Sequence, residues 1–421
     1  MFIKKNDISY IRNFFLFFII AKGITFLAPV FFIKFITVEQ YGVIEYSFAI
    51  GSVAAVALML GLGGAYPYFI LKKEEKNKEE AFFLYGLIIF ILFVIAVSIY
   101  YSHVISKSFY LIFLFSSIFS LQRLYSSILK CNDKGNIGSL YDSGYFFVLL
   151  LVILACIITK VLDPLILLQH LMEVYLLGLI AIFILEYVKK KKQSLTYTFK
   201  HDYPEILHYS IHLVISGIII YGLTSCSRIF IKIFMNYEQV GIYSFYFRMV
   251  AISVAIYQFC YIAYFKKLYL SNANKLDKYY AFIMFVILCC CLLCSLCRPL
   301  LNKYLLNGHE IAYVRAKLFL LLCVQMPIWV GISFNEGIIS RENLVSRMNL
   351  VLGIIVLAFP VLLYCFKSQM NLELFTFLNI VIFCAAYFSQ LQILKSKGIN
   401  LRVCALYNYF SLSLSFFIFF I

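Results

Sequence analysis

Apolar runs of about twenty residues, each closed by a short polar or basic segment, follow one another along the whole chain. Twenty helical residues at about 1.5 Å rise span about 30 Å, the thickness of a bilayer's hydrocarbon core. A transmembrane β-barrel would instead show segments of about ten residues with alternating polarity. The chain is 63% hydrophobic and 13% charged, with a mean hydropathy of +0.93. A water-soluble fold of 421 residues has no place to bury that much apolar surface, so lipid is its solvent. The expected fold is therefore an all-α integral membrane protein. Twelve transmembrane helices are expected near 13–36, 43–71, 81–101, 109–129, 137–159 and 165–188, then 206–230, 241–265, 279–297, 314–339, 344–366 and 372–394. A final apolar run, 403–421, is either a thirteenth span or an interfacial tail. Lys4, Lys5 and Arg12 precede the first run and no small-residue cleavage site follows, so this run reads as a retained helix.

The net charge of +16 raises the question of nucleic acid, and its placement answers against it. With a cytoplasmic N-terminus, 23 Lys and Arg fall in inner segments, among them Lys72, Lys73 and the run Lys189-Lys190-Lys191-Lys192. Ten fall in outer segments, among them Lys34, Lys107, Arg298 and Lys303. This is the bias that orients helices during insertion. The expected protein is multi-pass with a cytoplasmic N-terminus, and the central lysine run is a topology anchor that also meets anionic lipid. No loop exceeds roughly twenty residues, so no separate soluble domain is expected.

Glu39-Gln40-Tyr41-Gly42-Val43 returns 199 residues later as Glu238-Gln239-Val240-Gly241-Ile242. Each copy lies between two apolar runs, the second of which ends in a lysine pair, Lys72-Lys73 or Lys266-Lys267. An even number of spans separates the copies, so both face the same side. That arrangement predicts two six-helix lobes, residues 1–195 and 196–395, as parallel repeats about an axis along the membrane normal, followed by an extra apolar segment at 396–421. The repeated residues themselves read as turn and packing elements.

Three cations lie inside apolar runs: Lys22, Arg123 and Arg248. Arg228 and Lys232 lie at the outer end of the 206–230 run. A charge at the bilayer centre costs about 2.5–3.5 kcal/mol on insertion scales, so such residues face a cavity or a partner. A cavity lined by cations attracts an anionic cargo. The competing reading pairs them with Glu173, Glu336 or Asp142, or lets them snorkel; for Arg123, nearby Lys130 and Asp133 suggest an approaching interface. Glu173 and Glu336 are candidates either for H+ or Na+ coupling or for neutralising those cations. Pro29, Pro327 and Pro360 interrupt helical hydrogen bonding and are candidate bends; Pro29 and Pro327 are the candidate hinges.

Other patterns read as structural. His208 and His212 share a helical face but have no evident third ligand for a metal. Gly61-Leu62-Gly63-Gly64 lacks the strand and Lys-Ser/Thr of a phosphate loop and suits close helix packing. Thirteen cysteines lie mostly in apolar runs, and Cys294-Ser295-Leu296-Cys297, despite its spacing, has no His nearby. No metal or other cofactor is expected.

Ala28-Pro29, Glu39-Gln40-Tyr41-Gly42 and Gly61-Leu62-Gly63 together resemble the opening of the polysaccharide-biosynthesis flippases. These are O-antigen and capsule repeat-unit exporters of the multidrug/oligosaccharidyl-lipid/polysaccharide superfamily. Val240-Gly241-Ile242-Tyr243-Ser244 resembles that family's second-half motif. The resemblance covers nearly the whole chain in layout and only these patches in residues. It implies two six-helix bundles around a cationic cavity, working by alternating access, with Lys22 and Arg248 at positions where relatives place cavity cations. Where many relatives carry Asp-Arg, this chain has Ser227-Arg228. The implied activity moves an undecaprenyl-diphosphate-linked oligosaccharide across the inner membrane, without covalent chemistry; a polysaccharide polymerase and a chain-length regulator are the implied partners. A multidrug antiporter of the same superfamily would favour cationic substrates and an acidic cavity. A polymerase or acyltransferase is the enzymatic alternative; a polymerase usually carries a large outer loop with arginines, and the longest here, near 298–313, is short.

Overall fold

A computed structural model describes residues 5–132, 134–159, 163–191, 198–269, 273–296, 315–342 and 344–420. Asp133, Lys192 and the 298–313 loop lie outside these, as do the side chains of Lys4, Lys5, Arg12, Lys266, Lys267 and Cys294 and all of Cys297. The described residues are helical, with no strand among them. The helices are α1 Lys5–Phe32, α2 Val38–Leu58, α3 Leu62–Tyr66, α4 Glu79–Tyr101, α5 Lys107–Cys131, α6 Gly135–Asp142, α7 Gly144–Thr159, α8 Pro164–Lys190, α9 Tyr203–Phe234, α10 Tyr237–Tyr269, α11 Ala273–Leu296, α12 Ala316–Arg341, α13 Val345–Cys365, α14 Leu372–Lys395 and α15 Arg402–Phe420. Among the described residues eleven helices are long and apolar enough to cross a membrane, and twelve if the bent pair α6–α7 is one span. The run at 403–421 is one of them, as α15.

Two expected spans are broken. The run at 43–71 divides after α2, where Leu60 (φ 53°) and Gly61 (φ 73°) take left-handed backbone, and continues as α3 and a π turn, Pro67–Lys72. Gly61 permits that turn without the steric penalty a side chain would bring. The run at 137–159 bends by 55° at Ser143, between α6 and α7. Helix starts carry the residues that satisfy free N–H groups. Asp163 accepts from Leu165 N at 2.8 Å with Pro164 at the first helical position, and Asn371 accepts from Leu374 N at 2.8 Å.

The chain forms two compact units. The first holds residues 1–36 and 43–221, so it includes α1, α2 from Val43 onward, α3 through α8 and the first part of α9. Its interior is aromatic: Phe48 packs edge-on against Phe119 at 5.0 Å, and Phe115 against Tyr145 at 4.9 Å. Gly86 lets α4 approach α8 so closely that an added Cβ would overlap Phe183. In the same way Gly61 and Gly64 let the α2–α3 turn rest on Ser210 and Leu213 of α9, the close packing expected of these glycines.

The second unit holds residues 37–42 and 222–421. Helix α12 is its centre, packed by α10, α11, α14 and α15, with Phe334 stacked on Tyr280 at 3.6 Å. The buried Asp277 of α11 accepts the backbone N–H groups of Val403 and Cys404, both at 2.9 Å, and so caps α15. Asn408 of α15 is fully buried, beside Gly331 of α12. The extra segment is thus an integral helix of this unit.

Candidate functional site

The second unit holds two buried arginines. Arg228 of α9 is 6% exposed; its Nε donates to Ser244 Oγ at 3.0 Å and its guanidinium lies 4.9 Å from the Phe247 ring centre. Ser244, Phe247 and Arg248 are three and four residues apart on α10 and therefore share a face. Arg248, also 6% exposed, thus lies on the helix face that holds Arg228. Ser227 and Gln325 are buried around Tyr243 beside this pair, as is Asn379. Lys232, one turn further along α9, is half-buried with its ammonium 5.4 Å from the Tyr237 ring. Glu336 is half-buried on α12, next to the buried Asn335. The result is an interior where two arginines lie among buried polar side chains. Arginine suits such a place because its flat, delocalised charge stacks on rings and binds phosphate or carboxylate in a forked geometry.

The first unit holds the other charges in separate places. Lys22 of α1 is half-buried, with Nζ 5.8 Å from the Phe18 ring centre, and the charges that act on it are Asp142 and Lys130. Those two pair with each other at 2.7 Å. One turn after Lys22, Thr25 Oγ1 donates to Ser143 Oγ at 3.0 Å, at the α6–α7 bend. Lys22, on the continuous α1, is therefore near the α6–α7 bend, and Asp142, weighed above as a partner, is an acid that acts on it. Arg123 of α5 donates to the Ser52 carbonyl at 3.2 Å and lies 4.5 Å from the Tyr221 ring centre. Glu173 of α8 accepts from Tyr110 Oη at 2.9 Å and from Gln169 Nε2 at 3.1 Å, with His170 Nδ1 at 3.3 Å. Helices α1 and α12 run on through Pro29 and Pro327.

Sequence reasoning passed over two features. Glu45 of α2 is 2% exposed, deeper than Glu173 or Glu336, and its only signal was a carboxylate at the start of an apolar run. The second is an ionic cluster in the first unit. Lys78 is buried between Glu75 at 2.6 Å and Glu205; Lys190 pairs with Glu79, which also accepts from Tyr66 Oη at 2.9 Å; Thr198 donates to Glu80 at 2.8 Å. Residues 111 to 127 positions apart carry no trace of such partnership in sequence.

The repeated motif does not lie at the cations. Gln40 and Thr37 cap α2 reciprocally: Thr37 N donates to Gln40 Oε1 at 2.9 Å and Gln40 N to Thr37 Oγ1 at 3.2 Å. In the second copy Asn236 Oδ1 accepts from Gln239 N at 2.9 Å. A Cβ on Gly42 would overlap the Tyr237 carbonyl, and a Cβ on Gly241 the Val38 carbonyl. The two copies cap equivalent helices and meet through their glycines.

No protein-family model matches this chain, and no curated protein matches it. A solved structure does: the inward-facing conformation of a multidrug resistance MATE family transporter of the MOP superfamily, with a TM-score of 0.51 over 91% of this chain and 95% of that one. At 14% identity the likeness is one of fold.

Proposed function

We propose that this protein is a flippase for a lipid-linked oligosaccharide, carrying an undecaprenyl-diphosphate sugar unit between leaflets by alternating access. The observation that carries this reading is the burial of two arginines in the second unit, Arg228, held by Ser244 of α10, and Arg248 on the same face of that helix. Desolvated arginines amplify attraction for a diphosphate or an acidic sugar and disfavour a cationic drug. Lys22, beside the α6–α7 bend, adds a cation in the first unit. The resemblance of the Glu-Gln-Tyr-Gly and Val-Gly-Ile-Tyr-Ser segments to polysaccharide flippases supports the same substrate class. On this reading the protein sits in a bacterial inner membrane, performs no covalent chemistry, and works beside a polymerase and a chain-length regulator. Glu173 or Glu336 would exchange the coupling H+ or Na+.

The test is export in a strain deleted for this gene. Wild-type protein is expected to restore surface polysaccharide, and Lys22→Ala combined with Arg248→Ala to restore less than a tenth as much at equal membrane abundance. Each lost charge-assisted contact is worth about 1.5–3 kcal/mol, or more than tenfold. Normal polysaccharide in the double variant at low expression would sink the proposal. The MATE-like fold favours a second reading, a multidrug antiporter. That reading predicts hypersensitivity of the deletion strain to cationic drugs with its surface polysaccharide intact.

A further inference from the structure

Asp142, the last residue of α6, has both its chain neighbours tied to other helices. Gln122 of α5 donates from Nε2 to the Tyr141 carbonyl at 2.9 Å, and Thr25 of α1 donates to Ser143 Oγ at 3.0 Å. Gln122 and Ser143 are each 2% exposed. Gln122 also donates to Tyr175 Oη of α8 at 2.9 Å, and a Cβ on Gly144 would overlap that hydroxyl. The backbone at Asp142 is thus fixed from three sides, and what remains free to turn is its short side chain.

The Asp142 carboxylate stands between two ammonium groups. It pairs with Lys130 of α5 at 2.7 Å. It also acts on Lys22, which lies on α1 one turn before Thr25. Among the described residues Lys22 makes no ion pair; its Nζ lies 5.8 Å from the Phe18 ring centre. A carboxylate that closed on Lys22 would occupy its N–H donors and repel a second anion.

We propose that Lys130 is a positioning residue for the Lys22 site: by holding the Asp142 carboxylate, it leaves the Lys22 ammonium open to the anionic end of the cargo. Without Lys130, Lys22 draws that carboxylate unopposed, and its flexible four-carbon stem brings the ammonium to it. Asp142 then stands where the cargo's negative charge is to bind. All these residues belong to the first unit. The inference rests on the flippase reading, in which Lys22 receives an anion, and adds what keeps Lys22 free to do so.

The test uses the purified full-length protein and equilibrium binding of radiolabelled inorganic pyrophosphate. Lys130→Gln is expected to bind it about tenfold more weakly than wild type, the order of one lost charge-assisted contact. Asp142→Asn is expected to bind at least as tightly as wild type. The double variant, Lys130→Gln with Asp142→Asn, is expected to return to within about threefold of wild type, because no carboxylate is left to close on Lys22. Lys130→Gln and the double variant lack the same ion pair, so a loss caused by a weakened fold would persist in both. Lys134→Gln removes an exposed cation four residues on without releasing Asp142, and is expected to bind as wild type does. In a Lys22→Gln background, Lys130→Gln is expected to have no further effect. Wild-type binding in Lys130→Gln, a double variant as weak as Lys130→Gln, or an equal loss in Lys134→Gln would overturn the positioning role. Pyrophosphate carries neither sugar nor lipid, so these results decide the role of Lys130, whereas the flippase reading falls on the polysaccharide export assay.

Discussion

Gly42 and Gly241 show how a single missing side chain can hold a membrane fold together. Each leaves room for the backbone carbonyl of the residue just before the other motif, Tyr237 or Val38, so alanine at either position meets main chain rather than a movable side chain. Gly42→Ala and Gly241→Ala are each expected to lower stability by about 1–3 kcal/mol, read as a lower melting temperature in detergent. Gly23→Ala, facing open space, is the control and is expected to be neutral. An unshifted melting temperature in Gly42→Ala would disprove the contact. The Asp202 carboxyl offers a second test. Burial pushes its pKa up, Lys78 and His201 oppose this, and Glu80 and Glu205 add to it. A carboxyl whose folded pKa lies above the unfolded value of about 3.9 destabilises the fold when it ionises, so stability falls as pH rises through that window. Asp202→Asn is therefore expected to melt above wild type at pH 7 and level with it near pH 4. A constant difference across that range would refute the argument.

Among the helices, the one most exposed to doubt in sequence was α15, because 403–421 is equally apolar as a span or as a tail. The structure makes it a helix of 19 residues whose start the Asp277 carboxylate caps from α11, a contact across 126 positions. Asp277→Ala leaves two N–H groups of α15 without their acceptor and is expected to cost about 1–2 kcal/mol, with faster proteolysis near Arg402. Unchanged proteolysis and melting would show the cap to be dispensable. The breaks in the spans were half legible. Gly61-Leu62-Gly63-Gly64 marked a place of close packing, but not that Leu60 would join Gly61 in left-handed backbone. Nothing in the run around Asp142-Ser143-Gly144 announced a 55° bend, since its apolar flanks read as one span.

For the molecule as a whole, the charge bias predicts sidedness. In a cysteine-free background, Lys73→Cys is expected to react with a membrane-impermeant maleimide only from the cytoplasmic side, and Lys107→Cys only from outside. The reverse pattern would invert the topology. The two compact units meet in sequence between Tyr221 and Gly222, inside α9, and residues 37–42 belong with the second unit although they precede most of the first. The helix then carries charges of both units, Arg228 in one and Glu205 in the other.

Helix number, membrane residence and the positions of costly charges follow from runs of apolar residues, because burying a helix in lipid depends on its own side chains and on little else. The 3.6-residue period and hydropathy are local properties, so they are legible one segment at a time. Which charge meets which partner is not local. Lys22 lies near Asp142 and not Glu173, Glu173 is held by Tyr110 and Gln169, and Arg228 rests on Ser244 and Phe247. Each pairing depends on helix rotation and approach, which packing sets to within an ångström and which residue order alone leaves open.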